Sequence, residues 1–100
     1  MVKHVILWKL KDEFSESEKE EIKKNIKNGL EGLAGKIPGL SKIHVYTNGL
    51  ASSTADLMLD SQFENEEALR GYSVHPNHVH VADTFVRPYT AVRSCLDFEI

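Results

Sequence analysis

Residues 2–11 (VKHVILWKLK) concentrate β-branched and aromatic side chains, the composition a strand prefers. Their even positions, Val2, His4, Ile6, Trp8 and Leu10, form one face, and Val5 and Leu7 make the centre of the other apolar as well. Such a strand needs cover on both sides. Ser15 and Glu18 then form a capping box, and Glu16, Glu18, Glu20 and Glu21 suit the positive end of a helix dipole. Ile22, Ile26, Leu30, Leu33 and Ile37 recur at spacings of 4, 4, 3 and 4, which predicts one amphipathic helix running to Pro38-Gly39. Gly29 and Gly32 weaken its second half, and its charged face reads as solvated.

Residues 42–48 (KIHVYTN) and 56–63 (DLMLDSQF) predict two strands joined by a small, polar connection over 49–54. A short helix opens at Glu64-Asn65-Glu66-Glu67 and passes through Ala68, Leu69 and Tyr72. His75-Pro76 interrupts it, because the residue before a proline is pushed out of the helical region. Pro76 then suits the first position of a second short helix reaching about Val86. The last strand is predicted over 91–100, with Val92, Leu96, Phe98 and Ile100 on one face.

The order β-α-β-β-α-β is the split pattern of a ferredoxin-like α+β protomer, a four-stranded antiparallel sheet with its helices on one face. Helices on one face leave the other apolar side of the first strand uncovered, and a second copy of the sheet is the economical cover. The pattern therefore asks for a homodimer.

Composition narrows the class further. With 100 residues the chain is a single domain, 1–100, with no room for a separate cofactor domain. A net charge of −3 supplies no basic field for nucleic acid, and no apolar run approaches the ~18 residues of a membrane span. No signal peptide is expected. The single cysteine, Cys95, excludes an intramolecular disulfide framework and favours a reducing, cytoplasmic setting.

Candidate chemistry rests on five histidines, His4, His44, His75, His78 and His80. On a helix, His78 shares a face with Val81, Ala82 and Phe85, whereas His80 lies about 200° away beside Asp83, Thr84 and Arg87. These two cannot chelate one ion, so no metal is expected. His75 reads as the end of one helix and the start of the next. His78 is either a satisfied core histidine or the wall of a pocket, where burial would tune it for proton transfer. His4 interrupts the apolar Val2-Ile6-Trp8 face, and Tyr72 precedes the kink. A His4–Tyr72–His78 cluster facing apolar side chains can bind a phenol or a carbonyl compound, or move its protons. Cys95, alternating with Leu96, reads as a small core residue. No glycine-rich phosphate loop, paired cysteine ligands or serine triad is present, and no cofactor is expected.

Three segments carry a resemblance over essentially the whole chain: Val2 to Lys11, Asp56-Leu57-Met58-Leu59 before Phe63-Glu64, and Tyr72 through His75-Pro76-Asn77-His78-Val79. They resemble the stress-responsive dimeric A/B barrel (Dabb) family, the tyrosine followed by His-Pro-x-His being the most specific part. The resemblance implies a protomer whose sheet packs on its partner's to close an α/β barrel. That family includes plant stress-induced proteins, bacterial proteins of unknown role, and plant polyketide cyclases working by aldol chemistry. It implies a ligand site at His4, Leu57, Tyr72, His75 and His78. In a cyclase, His78 would be the base and Tyr72 its assistant, while Leu57 stands where the cyclases have a second histidine. Two functions follow as expectations: a dimeric protein that binds a small organic ligand in an apolar pocket, and a cofactor-free acid–base enzyme using the same pocket.

Overall fold

The structure is a computed structural model describing residues 1–100. Its elements are β1 (Val2–Leu10), α1 (Glu16–Glu31), β2 (Leu40–Tyr46), β3 (Leu57–Phe63), α2 (Glu66–Val74), α3 (Pro76–Val81), a π-helical turn (Ala82–Val86) and β4 (Thr90–Glu99). The strands form one antiparallel sheet in the order β2-β3-β1-β4, the expected ferredoxin-like topology. The even side chains of β1 all lie buried under the helices. They meet Leu57, Leu59 and Phe63 of β3, with Ile22, Ile26 and Leu30 of α1 closing the core. His4 and Ser61 are the polar residues buried there, and the Ser61 hydroxyl donates to the His4 carbonyl at 2.7 Å. No helix is long and apolar enough to cross a membrane.

α1 starts at the predicted capping box, with Glu18 N–H donating to Ser15 Oγ and Ser15 N–H to Glu18 Oε1. It ends at Glu31, earlier than the apolar stripe predicts. Leu33 and Ile37 are still buried, carried by turns. Glycine is the reason: Gly32 caps the helix, and Gly35 and Gly39 adopt φ of 78° and 79°, which L side chains avoid. At that end Glu31 Oε2 accepts from Lys27 Nζ at 2.7 Å, from Val45 N–H at 2.9 Å and lies 3.1 Å from His44 Nδ1. Burial pushes the Glu31 carboxyl up, but Lys27, the Val45 N–H and His44 together hold it below the usual value. Its stabilisation is present above the ordinary carboxylate pKa and is lost as pH falls through the lowered one. Glu31→Ala leaves the N–H of fully buried Val45 without an acceptor, so urea titration should show a loss of about 1–3 kcal/mol.

The second helical pair differs from expectation in phase. After α3 the backbone widens, and Arg87 N–H donates to Ala82 O at 2.8 Å, a bond across five residues. The extra residue adds Val86, at 4% exposure, to the core side, while Phe85 stays half-buried against the core beside Gly29 of α1, as its helical phase predicts. It also brings Arg87, predicted on the outer polar face, to the rim of the space between helices and sheet.

β4 corrects a second expectation. Cys95 is exposed and is not a core residue. Register explains this: β4 is an edge strand, and Arg93, Cys95 and Asp97 stand opposite Trp8, Ile6 and His4 on the helix-facing side, beyond the helices' cover. The alternate residues Val92, Leu96 and Phe98 lie on the open face beside Lys9, Val5 and Lys3. Together with Leu7 and Tyr46 they leave that face apolar and exposed.

Candidate functional site

A cavity of about 450 Å³ lies between the sheet and the helical layer of α2, α3 and the π turn. His4, Ile6 and Trp8 of β1 and Arg93, Cys95 and Asp97 of β4 line its sheet side; Leu69, Tyr72, His78, Ala82, Val86 and Arg87 line the helical side. Its volume falls within the ~300–1,000 Å³ of small-molecule sites.

Three of the residues singled out in the sequence meet here. The rings of Tyr72 and His78 are 4.1 Å apart, and those of Tyr72 and His4 are 6.0 Å apart. Phe63 backs the group, 5.0 Å from Tyr72 and 6.3 Å from His4. Leu57 and His75 lie elsewhere. Leu57 packs in the core opposite Trp8 and borders a separate depression at the β2–β3 connection. His75 caps α3, its Nδ1 accepting from Asn77 N–H at 3.1 Å, beside a shallow depression near Pro38 and Gly39. His80 is exposed, in keeping with its predicted outer face.

The Tyr72 hydroxyl and His78 Nδ1 are both buried and have no hydrogen-bond partner. Burial pushes the Tyr72 phenol far above its ordinary pKa, with Arg93 pulling weakly the other way, so it remains a proton donor. Burial also lowers the His78 pKa. The Ser73 carbonyl attracts the protonated ring without reaching hydrogen-bond geometry at Nδ1, and the charges of Arg87, His4 and Arg93 oppose it. At neutral pH His78 is therefore a neutral imidazole able to accept a proton. Below the ordinary histidine pKa the unfolded chain takes up a proton that folded His78 resists, so this contribution to stability is full above that pKa and declines as pH falls toward the lowered one. His78→Gln should flatten the fall in melting temperature between about pH 7.5 and 5.5; an unchanged slope would place that dependence elsewhere.

His4 is held differently. Its Nδ1 lies 2.5 Å from Asp97 Oδ1, so Nδ1–H donates to the carboxylate. Cys95 Sγ lies 3.7 Å from the same Nδ1 and 3.4 Å from Asp97 Oδ1. Thiol and carboxylate share one nitrogen, so the imidazole does not bridge them as a relay to a nucleophile would require. Burial and the Asp97 carboxylate raise the Cys95 pKa, which keeps it a thiol. Ligand atoms of His4, Cys95 and Asp97 lie within 4.8 Å of one another, a donor set a first-row divalent ion could use. Sequence reasoning missed Arg93, Cys95 and Asp97. The signal was their alternation with Val92, Leu96 and Phe98, which places them together on the opposite face of the strand.

Comparison with known proteins agrees with the fold. The profile of the Stress Responsive A/B Barrel Domain (Dabb) matches residues 2–100. Olivetolic acid cyclase of Cannabis sativa is 30% identical over 87 residues, 84% of this chain and 82% of the cyclase. A dimeric protein of unknown function and ferredoxin-like fold from Bacteroides fragilis superposes with a TM-score of 0.92 at 32% identity, covering 99% of this chain and 95% of that one. Hydroxynitrile lyase from Passiflora edulis shares the fold, with a TM-score of 0.73 at 16% identity over 99% of this chain and 92% of the lyase.

Proposed function

This chain belongs to the Stress Responsive A/B Barrel Domain family, and on that footing we propose that it is a homodimer binding a small organic ligand in the cavity between sheet and helices. The observation that carries the reading is that Tyr72 and His78, whose Oη and Nδ1 are buried without a hydrogen-bond partner, both line this cavity. A buried polar group without a partner costs about 1–3 kcal/mol, and a ligand hydroxyl or carbonyl set between the two would satisfy them. The surrounding Ile6, Trp8, Leu59, Leu69 and Val86 suit a ring or short chain. The homodimer rests on the exposed apolar sheet face and on the dimeric relative from Bacteroides fragilis.

A second reading, acid–base catalysis, is supported by neutral His78 beside protonated Tyr72 and by the relationship to olivetolic acid cyclase. His78 would take a proton from carbon next to a carbonyl whose oxygen accepts from Tyr72. The position implied for a second histidine is Leu57, buried outside the cavity, so that constellation is incomplete and binding is the stronger reading.

The test is Tyr72→Phe. It removes the orphaned hydroxyl and keeps the ring, so melting temperature should hold or rise by a few degrees, at ~4–8 °C per kcal/mol. Affinity for 4-hydroxybenzamide, a neutral ring probe followed by NMR, should weaken by about tenfold. No binding of the probe by the parent protein at millimolar concentration, or unchanged affinity in the variant, would overturn the reading.

A further inference from the structure

The three arginines of this chain, Arg70, Arg87 and Arg93, all line the cavity, and none of its nine lysines does. That segregation occurs in a protein of net charge −3. Asp97 is the one carboxylate in the lining, and it is committed to His4. Two of the three guanidinium groups are also committed, Arg87 to Asp83 and Arg70 to Glu66 at 3.6 Å. Arg93 has no carboxylate within ion-pair distance. It sits opposite Trp8 on the helix-facing side of β4, at the edge where the helices leave the sheet uncovered. A planar guanidinium presents paired N–H donors matched to a carboxylate, which a lysine ammonium does not.

We propose that the ligand of this cavity is a small organic monoanion, its carboxylate paired with Arg93 at the open edge and its polar oxygen reaching Tyr72 and His78 within. The proposal rests on the ligand-binding reading above and adds the chemical class of the ligand. Arg93 is the one lining arginine without a carboxylate partner, which matches a single carboxylate on the ligand. The charge of Arg93 is felt inside the cavity, where it lowers the pKa of Tyr72, His78 and Cys95 against the larger effect of burial on Tyr72 and Cys95 and along with it on His78. An apolar wall with a cation at one end and two hydrogen-bonding groups at the other orients such a ligand in one direction. It also discriminates against the corresponding neutral amide or ester.

The experiment compares 4-hydroxybenzoate, its neutral isostere 4-hydroxybenzamide, and phenyl phosphate by calorimetry at pH 7.5 and low salt, with the full chain. The benzoate should bind at least about tenfold more tightly than the amide, as a charge-assisted pair adds to otherwise equal contacts. Arg93→Gln should bring that ratio to about one. Lys24→Gln, which removes the same charge from an exposed position on α1, should leave the ratio unaltered. Equal binding of benzoate and amide by the parent protein would overturn the anion assignment while sparing the ligand-binding reading. Failure of every probe to bind would overturn both. A ratio that survives Arg93→Gln would remove Arg93 from the site, and tenfold preference for phenyl phosphate over the benzoate would overturn the monoanion.

Discussion

Leu96→Asp is expected to convert the proposed homodimer into a monomer. Leu96 is 65% exposed on the open sheet face, beside Val5 in the β1–β4 register. A carboxylate there disturbs the fold of one chain little, because in that chain the side chain already meets water. In a symmetric dimer through this face the substitution counts twice. Burying a leucine is worth about 1.5–3 kcal/mol, so two copies amount to about 3–6 kcal/mol, or roughly 10²–10⁴ in dissociation constant. Burying two unpaired carboxylates widens the gap. Sedimentation equilibrium between 1 and 100 µM should find the parent dimeric and the variant monomeric. Circular dichroism separates dissociation from unfolding. A dimer with unchanged dissociation constant would show that another surface makes the assembly.

Phe63→Ala should be the most damaging truncation in the core. Phe63 is wholly buried at the end of β3, paired with Val2 on one side and Leu40 on the other. Removing a buried phenyl ring costs about 3–5 kcal/mol in transfer and cavity terms, against a total stability of ~5–15 kcal/mol for a domain of this kind. At ~4–8 °C per kcal/mol, melting should fall by at least about 12 °C. Phe63→Leu should cost about 1–2 kcal/mol, since most of the volume is kept. The same ring stands behind Tyr72 and His4, so the alanine variant should also lose ligand affinity beyond its loss of stability. A variant that melts as the parent does would mean that the surrounding β3 and α2 side chains close the void.

The site was partly legible in the sequence. His4, Tyr72 and His78 each break a local pattern: a histidine on a strand's apolar face, a tyrosine before a proline kink, a histidine on a helix's apolar face. Local periodicity exposes such exceptions, and the structure brings these three to one cavity. Leu57 entered through resemblance alone, and neither it nor His75, which the sequence marked as a helix boundary, lines the cavity.

The sequence by itself determined the six-element order, the capping box on Ser15 and Glu18, and the buried even face of β1. These depend on backbone geometry and near neighbours, which a few consecutive residues specify. Only the tertiary structure decided where α1 stops, that a π turn swings Arg87 to the cavity, and that Arg93, Cys95 and Asp97 form its sheet-side edge. His4 and Asp97 stand 93 residues apart and meet because β1 and β4 pair antiparallel in one register. A shift of one residue would turn Asp97 to the open face and Leu96 into the cavity. That register is fixed by packing across the whole sheet, which no short stretch of the chain contains.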